Sequence, residues 1–423
     1  MIASVLHPRN LTQAREKVIS NGGSSGIDKM SVKELRSYDQ KHRKALIRSI
    51  QEGKYVASSI RGVEIPKGNG KTRMLGVPTV IDRMLQQAVS QVLTNYFEPT
   101  FEESSYGFRP NKNLQQAVLK SQAYINEGYQ NIADIDLKTF FDEVAHYQVL
   151  QLIYNKVKCQ TTLKLIRKWL RAPIAINGRL HKRRKGIPQG SPLSPLLANI
   201  LLDQLDKHLK GKGAKYIRYA DDFSIYCKTQ AEARKIGNEV YQYLRDKLKL
   251  PINRAKSGIR RPINFKILGH GFVSKYKKGE KGKYQVVVKK ESWDTLKRKL
   301  KYATKKTHPR SLSERIEAIK LIYQGWINNF RLGNIQGKLK KVEEWLRNRL
   351  RYCIWHDWKK LERKRKNLIR LGVDQGMAYA WSRTRMGGWA VAQSPILRTT
   401  ITIERLKKRR YESMVEYYHR VKS

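Results

Sequence analysis

Lys215-Tyr-Ile-Arg-Tyr219-Ala-Asp221-Asp222-Phe-Ser-Ile225-Tyr226 reads as two β-rich runs that meet at a pair of carboxylates. A hairpin here puts both acids at its tip, exposed and rigidly aimed. Adjacent acids at a strand turn repel each other, and a bound divalent cation is the usual compensation. An Asp-rich surface turn has the same wording, so the stretch needs a partner elsewhere in the chain.

That partner is Ile132-Ala-Asp134-Ile135-Asp136-Leu137, where Asp134 and Asp136 share one face of an alternating strand. Two-metal phosphoryl chemistry needs ions roughly 3.5–4 Å apart, held by carboxylates from neighbouring strands. Asp134 and Asp136 lie about 6.5 Å apart along a strand, which predicts that one of them is structural. Phe140, Phe141 and Asp142 follow.

A third block, Lys185-Gly186-Ile-Pro188-Gln189-Gly190-Ser191-Pro192-Leu-Ser194-Pro195, is a Gly- and Pro-rich loop feeding a helix. Ser194 is the expected N-cap and Pro195 the first helical residue. Leu197, Leu201, Leu205 and Leu209 give that helix an apolar stripe. Such a loop lets backbone approach a nucleobase closely.

The balance of 87 Lys and Arg against 35 Asp and Glu leaves a formal net charge of +52 over 423 residues. A charge this large repels itself unless polyanions neutralise it, so nucleic acid is the expected partner and a membrane is not. Cys159, Cys227 and Cys353 form no Cys-x-x-Cys pair, which fits a reducing compartment. No signal pattern or long apolar run stands out, and a soluble, cytoplasmic, ribonucleoprotein-associated protein is expected.

Composition changes near residue 291, where long helical periodicity begins. Ile316, Ile319, Tyr323, Trp326 and Phe330 form one stripe; Leu339, Val342, Leu346, Leu350 and Cys353 form another after a break at Gly333 and Gly337. A softer boundary falls near 367–376, where Gly372 and Gly376 interrupt the pattern. The fold class expected is α+β, with domains at 1–290, 291–366 and 367–423.

The order Asp136…Phe141, then Gln189-Gly190, then Tyr219-Ala220-Asp221-Asp222 resembles the palm motifs of reverse transcriptases. Upstream, Ile65-Pro66-Lys67, Thr72-Arg73 and Gly76-Val77-Pro78 resemble the fingers strands, and Ser105-Tyr106-Gly107-Phe108-Arg109-Pro110 the next block. Downstream, Asn253-Arg-Ala-Lys256-Ser257 and Leu268-Gly269-His270-Gly271-Phe272 resemble motif D and the primer-grip turn. The phrasing at 189–200, at 23–28, at Gly325–Arg331 and around Gly388-Trp389 is similar to the reverse transcriptases encoded within group II introns. The resemblance covers essentially the whole chain and thins after about residue 365.

It implies a right-hand polymerase with fingers and a ferredoxin-like palm (1–290), an α-helical thumb or maturase region (291–366), and a small basic nucleic-acid-binding domain (367–423). It further implies RNA-directed DNA synthesis and a role in splicing. By the same resemblance, Asp136, Asp221 and Asp222 hold two Mg²⁺ ions, replaceable by Mn²⁺, and Asp134 is structural. Lys67 and Arg73 clamp the triphosphate, Phe141 packs on the sugar, and Gln189 and Gly190 border the nascent base pair. Lys256 is either a proton donor to pyrophosphate or a basic surface residue. Implied partners are intron RNA, an RNA template, a DNA primer and target DNA. The chain departs from many such proteins in carrying no His- and Cys-rich endonuclease segment, so priming from DNA ends cut elsewhere is expected.

Two rival readings stay open. One is another bacterial lineage of reverse transcriptase (retron, phage-defence or diversity-generating), against which the long basic tail argues. The other is a non-catalytic splicing cofactor, against which the joint presence of Asp136, Phe141, Gln189, Asp221 and Asp222 argues.

Overall fold

The computed structural model describes residues 1–68, 71–276 and 282–422, without the side chains of Lys67 and Lys71. It has mixed α+β architecture and forms two compact units, Met1–Arg261 and Pro262–Ser423. The strands are β1 (Ile60–Gly68), β2 (Lys71–Val77), β3 (Asn131–Ile135), β4 (Ile174–Ile176), β5 (Arg179–His181), β6 (Lys215–Tyr219), β7 (Asp222–Cys227), β8 (Gly258–Arg260), β9 (Lys266–Ile267), β10 (His270–Ser274) and β11 (Tyr284–Val288).

In the first unit one sheet runs β2-β1-β4-β5 and another runs β6-β7-β3-β8. Every pairing in the second is antiparallel, so the two acidic segments of the sequence become neighbouring strands, β3 and β7. The apolar residues of β6 and β7, Tyr216, Ile217, Phe223, Ile225 and Tyr226, are all buried. The helix Ser194–Gly211 runs through the same core. Its expected stripe is buried, and so are Leu196, Ala198, Ile200 and Leu202, as befits a helix enclosed on nearly every side.

Ser194 does not cap that helix. Leu193 is the N-cap, and Pro195 stands at the second helical position. The Ser194 hydroxyl instead donates to the Pro188 carbonyl at 2.6 Å, closing the preceding loop on itself.

One buried charge pair fixes the acidic hairpin. Arg218 and Asp206 are both inaccessible to solvent. All five N–H groups of the guanidinium are used. Nε and Nη2 donate to the Asp206 carboxylate (2.6–3.0 Å), Nη2 also to Ser105 Oγ (2.7 Å), and Nη1 to Asn199 Oδ1 (2.9 Å) and the Ala220 carbonyl (3.0 Å). A buried ion is tolerable only when its partners are this complete.

In the second unit the sheet β11-β10-β9 accompanies the helices Lys290–Ala303, Leu312–Phe330 and Gln336–Asp357 and shorter helices up to Lys422. Both periodic stripes face inward as expected. The break between them lies at 331–335, and Gly337 belongs to the first turn of the second helix. A single hydrophobic core extends from Trp293 to Tyr418. The last helix, Met414–Lys422, is tied back by Tyr417 Oη to Asn328 Oδ1 (2.9 Å) and Tyr418 Oη to the Gly333 carbonyl (3.0 Å). Among the described residues no helix is long and apolar enough to cross a membrane.

Removing one member of the buried pair, by Arg218→Met or Asp206→Leu, should cost about 3–5 kcal/mol, because the survivor stays buried and unpaired. The double variant should regain much of that loss. Chemical unfolding of all four proteins reads this directly, and additive losses would contradict a direct coupling.

Candidate active site

The hairpin turn contains only Ala220 and Asp221, with Tyr219 paired to Asp222. Ala220 is left-handed (φ 58°), the hand that a tight two-residue hairpin demands at its first position. Asp222 opens β7, and β7 pairs with β3 in the register Ile135 to Phe223. One further step of that register sets Asp136, just past the end of β3, beside Asp222. Three carboxylates therefore meet at the same end of two adjacent strands.

Partial burial and mutual repulsion act together at Asp222. Its side chain is open to solvent, yet surrounding protein and the charges of Asp221, Asp136 and Asp134 push its pKa from 3.8 up to about 6, against a smaller pull from Lys256. Asp134 has its own partner. Arg260 Nε donates to its Oδ2 at 3.0 Å.

Asp136 is held by the loop 253–257. The Asn253 amide donates to the Asp136 carbonyl (2.8 Å), the Asp136 amide donates to Ser257 Oγ (3.0 Å), and Asn253 Nδ2 donates to carboxylate Oδ2 (2.8 Å). Lys256 Nζ lies 3.7 Å from the same oxygen, so its ammonium faces the carboxylates although its side chain is mostly exposed. Bonds of this kind turn a carboxylate so that a chosen oxygen faces a cation.

Arg73, Phe141, Gln189 and Gly190 line one cavity of about 510 Å³ in the first unit, together with Phe108. Arg73 stands on β2 opposite Ile65 and is exposed. Phe141 lies on the short helix Phe140–Glu143, its ring edge-on to buried Phe140 at 5.2 Å. Gly186 and Ile187 fix that helix by donating to the carbonyls of Val144 (2.7 Å) and Phe141 (2.6 Å). At Gly186 (φ +87°) a Cβ would sit 2.9 Å from the Asp142 carbonyl. Gly190 (φ +125°) is pressed against β2, where a Cβ would fall 2.6 Å from the Gly76 carbonyl, and the Gly76 amide donates to the Gln189 carbonyl at 2.8 Å. Only glycine permits either approach.

The expected site residues thus fall into two groups, Asp136, Asp221, Asp222 and Lys256 at the strand ends, and Arg73, Phe141, Gln189 and Gly190 around the cavity. Lys67 lies on β1, and its side chain falls outside the described residues. Among the described residues no three His, Cys, Asp or Glu side chains form a preformed metal cage. The donor chemistry still fits a hard divalent cation. It is all carboxylate, it is crowded enough to raise Asp222, and magnesium takes few protein ligands when phosphates supply the rest.

Sequence reading missed Arg218, Asp206, Asn199 and Asn253 as residues that position the acids. Asn253 could have been found, since it begins the block that contains Lys256. Gly107 was missed too: a Cβ there would come within 2.3 Å of the Ala220 nitrogen, so the strand-turn backbone rests directly on it.

The raised Asp222 carboxyl makes a pH prediction. Between about pH 4 and 6 the folded chain keeps a proton that the unfolded chain has released, so rising pH costs stability across that window. In metal-free buffer the thermal midpoint of Asp222→Asn should fall less over this range than that of the unaltered chain. At pH 7.5, Mg²⁺ should raise the midpoint of the unaltered chain more. Identical pH slopes would remove the carboxylate crowding from the account.

Comparison with known proteins gives two family models in chain order. Reverse transcriptase (RNA-dependent DNA polymerase) matches residues 65–272, and the group II intron maturase-specific domain matches residues 293–372. The group II intron-encoded protein LtrA of Lactococcus lactis subsp. cremoris is 35% identical over 204 residues, 48% of this chain and 33% of LtrA. Protein YkfC of Escherichia coli (strain K12) is 27% identical over 316 residues, covering 65% of this chain and 83% of YkfC. The putative COX1/OXI3 intron 2 protein of Saccharomyces cerevisiae is 34% identical over 169 residues, 40% of this chain and 20% of that protein. The match to LtrA spans about a third of LtrA's length. With both models present in this order, the chain belongs to the family of group II intron-encoded reverse transcriptases and maturases.

Proposed function

We propose that the chain is an RNA-directed DNA polymerase that extends a primer by nucleotidyl transfer and binds its intron RNA to assist splicing and mobility. The observation that carries this reading is the meeting of Asp136 with Asp221 and Asp222 at the ends of β3 and β7. The cavity of Arg73, Phe141 and Gln189 in the same unit supplies a place for the nucleotide. Its partners on this reading are an RNA template, a DNA primer, target DNA and the intron RNA, all polyanions suited to a chain of charge +52.

Asp136, Asp221 and Asp222 would hold two Mg²⁺ ions, with Mn²⁺ able to replace them. When bound, the metal supplies acidity to the attacking 3′-hydroxyl and charge neutralisation to the leaving pyrophosphate. The chain's own residues do the remaining work. Arg73, with Lys67, offers forked and point-charge donors to the triphosphate oxygens. The Phe141 ring fills the space beside the sugar, leaving neither room nor a hydrogen-bond partner for a 2′-hydroxyl, so deoxynucleotides are preferred. Gln189 and Gly190 present backbone to the nascent pair, held in place by the contact of Gly190 with Gly76. Lys256 Nζ, already 3.7 Å from Asp136 Oδ2, can pass a proton to the departing pyrophosphate.

The division of labour proposed along the chain is fingers and palm at 1–290, a thumb or maturase region at 291–366, and a basic nucleic-acid-binding region at 367–423. Seven of the eight tryptophans lie after residue 290, and exposed Trp389 and Tyr379 stand beside the guanidiniums of Arg349 and Arg383. Paired rings and cations of this kind suit RNA.

Asp221→Ala should abolish Mg²⁺-dependent cDNA synthesis by removing a metal ligand, while leaving intron RNA affinity largely intact. Surviving synthesis would sink the metal assignment. Phe141→Ala should raise the efficiency of ribonucleotide incorporation relative to deoxynucleotide by roughly 10- to 200-fold. Unchanged sugar discrimination in primer extension would remove Phe141 as the gate.

A further inference from the structure

Phe108 is 59% exposed and adopts a left-handed backbone conformation (φ 59°), which bulky residues avoid. Neither feature is explained by packing, because the hydrophobic core of the first unit does not include it. Its neighbours explain how it is held. On one side, the Gly107 carbonyl accepts from Asn199 Nδ2 (2.9 Å), and Gly107 itself rests on the turn of Ala220. On the other side, Arg109 is fixed by Glu98 Oε1 (2.9 Å) and by the carbonyls of Glu102 (2.6 Å) and Ser105 (2.9 Å). Between these two bonded flanks the Phe108 side chain turns out of the core.

The ring is not lost to open solvent. It lines the cavity shared by Arg73, Phe141, Gln189 and Gly190. The segment bearing it is bonded to β6 as well, through the Tyr106 amide and the Arg218 carbonyl (2.8 Å). The same backbone that fixes the Asp221–Asp222 turn therefore also fixes this ring.

We infer that Phe108 is a substrate-contacting residue, a stacking surface for the nascent base pair. An exposed, rigidly mounted aromatic ring in a cavity that also carries a guanidinium matches the chemistry of a nucleobase, whose flat face gains by stacking whatever its sequence. Strain retained at a functional position is the expected accompaniment. The inference rests on the polymerase reading above and adds to it a contact on the base, where Phe141 accounts for the sugar and Arg73 for the phosphates.

The test compares the full-length chain with Phe108→Ala, Phe108→Tyr and Phe108→Asn, the last because asparagine tolerates the left-handed conformation. Primer extension on an RNA template should give a dNTP KM raised on the order of 10-fold or more in the Ala and Asn variants, the scale of one lost base–aromatic stack. Phe108→Tyr should stay near the original value. Thermal midpoints should hold or rise in Phe108→Asn, which separates lost contact from lost folding. A template carrying 2-aminopurine at the templating position, bound without turnover, should change its emission in the original chain and in Phe108→Tyr but not in Phe108→Ala. If the original chain extends the primer and Phe108→Ala matches it in KM and emission, the inference fails alone. If the original chain does not extend the primer, the polymerase reading fails, and the emission of the bound template still decides whether Phe108 stacks on a base.

Discussion

A guanidinium sealed from water sits beneath the acidic turn, and the geometry of the site follows from how Arg218 is satisfied. Its five N–H groups reach an acid and an amide on the helix Ser194–Gly211, a serine 113 residues upstream, and the carbonyl of Ala220 inside the turn itself. Leaving any of these donors unmet in a dry interior costs about 1–3 kcal/mol or more. The segments are therefore not free to drift independently. Because Ala220 is one of the partners, that bond holds the turn carrying Asp221 and Asp222, while the Asp222 side chain stays open to solvent at the strand end.

Close backbone contacts complete what the ion pair begins. Gly107 lies against Ala220, Gly190 against Gly76, and Gly186 against Asp142, each at a separation that a Cβ would prevent. These contacts tie the strand turn to the segment around Gly107, and the loop before the long helix to β2 and to the short helix of Phe141. Rigid main chain is what allows exposed groups such as Asp222, Arg73 and Phe108 to be aimed without being buried. Desolvation by surrounding protein first, and then the nearby charges of Asp221, Asp136 and Asp134, raise the pKa of Asp222, and a divalent cation bound among these carboxylates would offset that repulsion.

The sequence made some of this legible for identifiable reasons. Two β-rich runs meeting at the acids revealed the hairpin, although both acids were expected at its tip and Asp222 instead opens β7, paired with Tyr219. The i, i+3, i+4 stripes revealed the helices from Leu312 to Asp357. The expectation that one of Asp134 and Asp136 would be structural followed from strand spacing. Other features were hidden because they depend on groups far apart in the chain. Arg218 and Asp206 look like two ordinary charges until the fold buries both. Ser194 had the residue type and position of a cap, yet its hydroxyl was taken by Pro188 once the loop closed. Gly337 read as a helix break but lies inside the first turn of a helix, where a glycine costs less than in the interior. Phe108 carried no sequence signal of its own, because its exposure and left-handed backbone arise from what holds Gly107 and Arg109.

The central claim is that this carboxylate centre copies RNA into DNA. The most direct measurement is primer extension by the purified, unaltered chain on an RNA template with Mg²⁺ and deoxynucleotides, run beside a splicing assay with its intron RNA. The account predicts template-length DNA that disappears when the metal is chelated. Intron RNA that is bound and spliced while the primer stays unextended would contradict it, and would leave the chain an RNA-folding partner with a silent site.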